Sequence, residues 1–558
     1  MAQQDAPNEN FAVAPQTLVY IVASGRGTLD PVDQVVSDTR TPEEFMEALL
    51  HNFDYYLEAS NSADATCLPT RGLSPTTFDI STKMQPIGVI EKILTQVGIG
   101  LPEPHVETGD MICVKVDWTL TSELLWGGME KTYDLMRRPR PFRNHRLWLA
   151  VYHTVDPQTN HRPRQRGLIS KAERFRREAK IIEFLPANTS IMHAEFTRER
   201  AQPGRIVVGS DSHNCSAGSM GSFAVASAQL TLSCPWINFV GSLPVGVGGK
   251  DAIFHILGLL KRNTIAFQRA VEYGGPGLKE LLMDARFSIA NMTTEFGGIG
   301  TCFEADEETS AWIARRQLPE HREGGLYFRA DPGARYADER TIDLSEVRLT
   351  IALYPNPDGV VPIWQKAGMK LDGCFIGGCT TTEEDLIIGA LVLEAGIYEG
   401  MRPSPNGKRR VTPGSLMMIK RLDKHGLLDI YRRAGFEVRA PGCSYCVGIN
   451  DVDVAGEGEV WLSSQNRNFR NRMGKGSFGN ITCAAAVAAS SFATEVTDPK
   501  FLLDELDSAK LQRLVSGGRS SGPQQVLQIN EPSPEMSTTS LPRILNSTDS
   551  EHGTTQTM

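Results

Sequence analysis

The sequence predicts an α/β protein in which parallel strands are covered by helices, and three observations carry that reading. Short β-branched runs alternate with amphipathic segments along most of the chain. The runs end in glycine-containing turns, as in Arg205-Ile206-Val207-Val208 ahead of Gly209-Ser210-Asp211 and Cys374-Phe375-Ile376 ahead of Gly377-Gly378. A helix predicted over 415–433 is stopped by Gly435 and followed by the strand-like Phe436-Glu437-Val438, which completes a helix-to-strand unit.

Taken in order, residues 17–23 form a short apolar run, 42–56 read as a helix, and a Ser/Thr/Pro stretch precedes Met84. Residues 1–82 are therefore expected to be an N-terminal extension or small added layer, and 83–505 the core. Residues 214–249 hold no charged side chain and are crowded with Gly and Ser, which predicts buried backbone beside a site. A buried strand is expected over 287–291. From 506 to 558 the chain is expected to be mostly disordered, because from about Ser516 it is rich in Ser, Thr, Pro, Gln and Gly and poor in aromatics. No repeat of solenoid length is present.

At 558 residues the chain is long enough for a large core without disulfides. A net charge of -9 with scattered charged residues offers no basic face, which argues against nucleic acid as the main partner. No run of eighteen apolar residues argues for a membrane, and residues 1–15, polar and without arginine, are unlike a secretory or mitochondrial leader, so a cytoplasmic location is expected. In that setting the ten cysteines read as free thiols or metal ligands. Cys113, Cys234, Cys374 and Cys483 lie in apolar surroundings and read as small core residues.

Three others read differently. Pro441-Gly442-Cys443-Ser444-Tyr445-Cys446 places two thiols three residues apart on a turn, where both sulfurs can face one metal centre. A redox dithiol lacks its usual sequence context here, and no second Cys pair completes a zinc site. Cys379 follows a strand and Gly377-Gly378, just ahead of a helix opening at Thr380 to Asp385, and the positive end of a helix favours an anionic thiolate. Three thiolates on a four-iron cluster leave one iron without a protein ligand, free to polarise a substrate oxygen, whereas electron-transfer clusters usually take four cysteines.

With these motifs the sequence resembles the aconitase superfamily, and most closely the large subunit of 3-isopropylmalate dehydratase. The resemblance runs through Ile90-Glu91-Lys92-Ile93-Leu94, Glu107-Thr108-Gly109-Asp110, Gly209-Ser210-Asp211-Ser212-His213, Gly249-Lys250-Asp251 and Ala290-Asn291-Met292-Thr293-Thr294-Glu295. It continues through Gly377-Gly378-Cys379-Thr380, Val411-Thr412-Pro413-Gly414-Ser415, Pro441 to Cys446, and Gln465-Asn466-Arg467-Asn468-Phe469 with Arg472.

The resemblance implies a three-lobed core of parallel and mixed sheets around a [4Fe-4S] cluster held by Cys379, Cys443 and Cys446. It implies an acid-base network of His153, His193, Asp211 and His213, a carboxylate, Glu295, at the iron-bound water, and substrate contacts from Ser212, Arg467 and Arg472. Asn291 and Asn466 would hydrogen-bond the cluster region. The implied reaction is dehydration and rehydration of a 2-substituted malate, such as an alkyl- or arylmalate; a tricarboxylate substrate and a non-catalytic iron-sulfur regulator are the alternatives.

This chain departs from the family at Tyr152, where Asp is usual and which implies a different orientation of His153, and at Thr381 and Thr382 after the first cluster cysteine. Nothing after Phe501 resembles the family's C-terminal swivelling domain, which supplies a serine base, so a separate small-subunit partner is expected to complete the site.

Overall fold

A computed structural model describes residues 18–22, 86–99, 111–226 apart from 136, 139–140 and 142, then 234–516 and 527–532. The helix expected over 42–56, the motif at 107–110 and the side chain of Cys113 lie outside the described residues, as does the extension apart from one strand. That strand, β1 (Leu18–Val22), is the apolar run expected at 17–23. With β2 (Gly98–Ile99) and β3 (Met111–Lys115) it forms an antiparallel sheet in the order β1-β3-β2.

A nine-stranded sheet follows: β4 (Trp118–Ser122), β5 (Leu147–Ala150), β6 (Glu183–Leu185), β7 (Ile206–Gly209), β8 (Phe223–Val225), β9 (Pro235–Val240), β10 (Ala270–Gly274), β11 (Gly300–Phe303) and β12 (Asp338–Asp343). Its order is β12-β9-β10-β11-β8-β7-β4-β5-β6, and every neighbouring pair is parallel except β11 with β8. A seven-stranded sheet holds β13 (Thr350–Ala352), β14 (Val360–Pro362), β15 (Gly373–Gly377), β16 (Lys408–Thr412), β17 (Glu437–Val438), β18 (Val460–Ser463) and β19 (Phe478–Thr482). Its order is β14-β13-β19-β18-β15-β16-β17, antiparallel only around β13. Parallel strands need cover on both faces, and β15 accordingly is buried along its whole length. The expected α/β class with parallel and mixed sheets is present.

The helices that matter for the site are α1 (Met192–Glu199), α2 (Gly249–Leu260), α3 (Met283–Phe296), α4 (Glu383–Tyr398), α5 (Leu416–Lys424), α6 (Leu427–Arg433), α7 (Ala484–Ala493) and α8 (Ser508–Ser516). Thr382 caps α4: its hydroxyl accepts from the Asp385 amide while the Asp385 carboxylate accepts from the Thr382 amide. Leu386, Leu391, Val392 and Leu393 of α4 are then buried with the alanines of α7 in the main apolar core, where side chains without bulk permit close approach.

Two expectations are corrected here. Residues 287–291 are not a strand but the middle of α3, a helix buried on nearly every side, so its sequence lacks the polar stripe that announces a helix. The helix expected over 415–433 is two helices, because Gly426 takes a left-handed φ of 70° between α5 and α6. Of residues 506–558, expected to be mostly disordered, the structure describes 506–516 and 527–532. Leu511, Leu514 and Val515 of α8, at helical spacing, pack on the main core, and Lys510 pairs with Glu394 at 2.5 Å. Farther on, the Asn530 amide donates to the Tyr327 carbonyl at 2.8 Å, and Glu531 accepts from the buried Lys92 at 3.2 Å. A few well-spaced apolar residues are enough to dock a segment whose average composition is polar.

The uncharged stretch is buried where it begins, in the 3-10 turn Ser212–Met220, but Val245 is exposed. Cys234, Cys374 and Cys483 are buried, as expected of core thiols. Among the described residues no helix is long and apolar enough to cross a membrane.

The Ser212–Met220 turn lies hard against β11: a Cβ at Gly218 would sit 2.4 Å from the Thr301 carbonyl oxygen. Gly218→Ala is therefore expected to lower the unfolding free energy by about 1–3 kcal/mol through overpacking, measured by denaturant unfolding. An unchanged midpoint would mean that the turn moves freely.

Candidate active site

The thiols come from two loops of the seven-stranded sheet. Cys379 follows β15, where Gly378 adopts a φ of 95° and a Cβ on it would come to 3.5 Å from Cys446 Sγ. Cys443 caps the 3-10 turn Ser444–Cys446 and Cys446 closes it. Ser444 holds a left-handed φ of 50°, fixed by its hydroxyl donating to the buried Asp453 carboxylate at 2.6 Å. Two of the sulfurs converge on one amide: Asn466 Nδ2 donates to Cys379 Sγ at 3.2 Å, and its Oδ1 lies 3.5 Å from Cys446 Sγ. Asn291 Nδ2 reaches Cys379 Sγ at 3.4 Å, and Arg472 Nη2 reaches Cys446 Sγ at 3.5 Å. Burial, and then the neighbouring sulfurs, push the Cys379 and Cys443 thiols up.

Beside them Asp211, at the carboxyl end of β7, gathers four side chains. Its Oδ2 accepts from Tyr152 Oη at 3.1 Å and lies 3.1 Å from His153 Nε2; its Oδ1 lies 3.3 Å from both His193 Nε2 and His213 Nδ1. Burial alone would raise this carboxyl, but the imidazoles outweigh it and hold it well below the usual carboxylate range. The histidines on it are poised apart. Burial lowers His193, whereas in His153 the same burial is overcome by hydrogen bonds to Asp211 and Glu123, and the value is raised to about 9. Tyr152, pushed up by burial and by Asp211, stays a donor.

His213 joins this network to a second carboxylate. Its Nε2 lies 3.0 Å from Glu295 Oε1 and 2.7 Å from Asn466 Nδ2. Glu295 also accepts from Arg467 Nε at 2.5 Å, and Arg467 Nη2 donates to Ser212 Oγ at 2.7 Å. Burial would raise Glu295, but Arg467 and His213 hold it down as a carboxylate. Its Oε2 is buried and without a hydrogen-bond partner among the described residues, which suits a ligand-bound water or hydroxyl. Arg467 and Glu295 open into a cleft of about 480 Å³ lined also by Arg262, Pro357, Asn468 and Phe469.

All thirteen expected site residues thus fall in one region, although Arg472 faces Cys446 and the Phe469 ring rather than Ser212. Thr381 and Thr382 are structural: the Thr381 hydroxyl donates to the Gly377 carbonyl at 2.7 Å and Thr382 caps α4. Sequence reasoning missed Glu123, which is fully buried and accepts from the amides of Tyr152, His153 and Thr154 at 2.7 to 3.1 Å. The only signal was an acidic residue at the end of an apolar strand, Trp118 to Ser122.

Residues 147–369 and 364–494, together more than half of the chain, match the aconitase family (aconitate hydratase). The aconitase htyD of Aspergillus rugulosus is 48% identical over 446 residues, covering 77% of this chain and 51% of its own. The 3-isopropylmalate dehydratase large subunit gloJ of Glarea lozoyensis is 46% identical over 396 residues, covering 68% of this chain and 45% of its own. The 3-isopropylmalate dehydratase large subunit of Aquifex aeolicus is 30% identical over 428 residues, 74% of this chain and 96% of that one. The chain spans about half the length of the first two relatives and nearly all of the third.

A histidine raised to about 9 in the folded chain stabilises it fully below its ordinary value of 6.5, and that contribution is lost as pH rises towards 9. The unfolding free energy of the cluster-free chain is expected to fall across that window by up to about 1.4 kcal/mol per pH unit, and His153→Gln to flatten the fall. Denaturant midpoints of both proteins near pH 6 and pH 9 check this, and equal slopes would contradict it.

Proposed function

The chain belongs to the aconitase family, and on that premise we propose that it is a hydro-lyase that isomerises a 2-substituted malate by dehydration and rehydration at neighbouring carbons. The observation that carries this reading is Asn466, whose amide nitrogen is 3.2 Å from a cluster-ligating thiol, Cys379, and 2.7 Å from an acid-base histidine, His213. Metal site and proton network are therefore one site.

The family's cofactor is a [4Fe-4S] cluster, and the residues fit it: three buried thiols, amide and guanidinium donors on two of their sulfurs, and an unpartnered carboxylate oxygen on Glu295. Bound by Cys379, Cys443 and Cys446, such a cluster supplies a Lewis acid for the substrate hydroxyl and a carboxylate. The chain's own residues do the rest. Arg467 and Ser212 hold a substrate carboxylate, with Arg262 a further cation at the cleft. The imidazolium of His153, backed by Asp211, feeds a proton through the His193 and His213 network to the departing hydroxyl, and Glu295 orients it. A base on a swivelling domain or separate small subunit takes the carbon-bound proton; two relatives carry the name large subunit, which supports such a partner.

The cleft supports a dianion with an apolar substituent over a tricarboxylate, because Phe469 and Pro357 line it beside the two arginines. Tyr152, in place of the family's acidic residue, donates to Asp211 and so preserves the network, which favours an enzyme over a non-catalytic regulator.

Purified without oxygen and mixed with candidate small subunits, the cluster-loaded chain is expected to hydrate alkyl- or aryl-substituted maleates faster than cis-aconitate. A preference for cis-aconitate would overturn the substrate assignment. Cys446→Ser should abolish both the bound iron and turnover, measured by iron analysis and the same assay. Arg467→Lys, which loses the two-pronged grip on a carboxylate, should lower kcat/KM by about tenfold or more.

A further inference from the structure

Lys250 stands in the first turn of α2 and is 1% exposed. Its ammonium donates to Thr380 Oγ1 at 2.5 Å and to the Gln465 carbonyl at 3.1 Å, and it lies 3.7 Å from Met292 Sδ. None of these partners carries a charge, and among the described residues no carboxylate oxygen lies within ion-pair distance. Of the acidic groups that act on it from farther off, Asp251, next in the chain, accepts from the Gly248 amide at 3.2 Å, and burial pushes its carboxyl up to about 7. Asp385 accepts from the Thr382 amide and hydroxyl, both at 2.9 Å, and Glu295 is held by His213 and Arg467.

A buried ammonium without an anion is strongly disfavoured, and here two features deepen the problem. The first turn of a helix is its positive end, where a cation is repelled. Nor can the helix swing aside, since a Cβ at Gly249 would already lie 2.4 Å from the Ala285 carbonyl oxygen of α3. Burial pulls the ammonium below its ordinary value, against the opposing pull of Asp385, Cys379, Glu295 and Cys446.

The missing anion is indicated by the neighbours. Thr380 follows Cys379, and Gln465 precedes Asn466, the residue that touches two of the thiols. Three thiolates around a dicationic four-iron core leave a net negative charge. We infer that Lys250 is the buried counter-cation of the cluster, with Arg472 offsetting charge at Cys446 from the more exposed side; this rests on the reading of the three thiols as cluster ligands.

The test compares Lys250→Met and Lys250→Arg with the parent chain, each full length, in cluster-free and anaerobically reconstituted forms. If Lys250 is the counter-cation, removing its charge relieves the cluster-free chain, so Lys250→Met without cluster should melt at the same temperature or higher. The reconstituted Lys250→Met should lose the melting-temperature gain that the cluster gives the parent and should release iron to a chelator roughly tenfold faster. Lys250→Arg should restore slow release.

Equal destabilisation of both forms of Lys250→Met, failure of that variant to fold, or unchanged iron release would make Lys250 a structural hydrogen-bond donor and overturn the inference. A parent chain that takes up no cluster would instead defeat the reading on which the inference rests.

Discussion

The Glu123 carboxylate, at the end of β4 and without exposure to solvent, accepts the amides of Tyr152, His153 and Thr154 and lies 3.7 Å from His153 Nδ1. The same short segment faces the other way as well: the Tyr152 carbonyl accepts from the Cys443 amide at 3.1 Å. One buried charge therefore fixes the turn after β5, the histidine on that turn and the first cysteine of the Cys443 to Cys446 loop. A buried carboxylate tolerates desolvation only when its lone pairs are filled, and here backbone amides fill them. In consequence the nine-stranded sheet, which bears Asp211 and His153, and the seven-stranded sheet, which bears the thiols, meet in a register set by hydrogen bonds rather than by apolar contact alone.

A second joint comes from α3. Asn291 and Glu295 are four residues apart, so they project from one face of the helix, one towards Cys379 and the other towards His213 and Arg467. Arg286, on the same helix and fully buried, is clamped by Asp306 through both terminal nitrogens at 2.6 and 2.7 Å, which holds α3 along its axis. Asn291, which touches sulfur, and Glu295, which meets His213 and Arg467, thus sit on one helix, and their spacing does not depend on loop conformation.

How much of this the sequence disclosed follows from what each element buries. β7 and β15 were legible because each is an apolar run that ends in a glycine turn, and the residues after them, Asp211 to His213 and Cys379, are where α/β sheets place sites. α3 was not legible, because a helix buried all round has neither the period of 3.6 nor the alternation of an exposed strand. The break at Gly426 was hidden inside an amphipathic pattern that α5 and α6 share. Glu123 and Lys250 were missed for a common reason. A charged residue in an apolar setting announces that it needs a partner, but the partner is far away in sequence: 29 to 31 positions for Glu123, and 130 and 215 for Lys250.

A tyrosine at position 152 has a consequence that the geometry makes definite. A second carboxylate in this position would repel Asp211, and one of the two would take up a proton. The phenol, held protonated by burial and by Asp211, donates to Asp211 at 3.1 Å, and its oxygen lies 3.2 Å from His193 Nε2. Asp211 therefore keeps its charge while bearing three imidazoles, and that charge is what maintains His153 as an imidazolium beside a neutral His193. Two histidines on one carboxylate, one carrying a proton and one able to accept it, form a pair through which a proton can be delivered and later recovered.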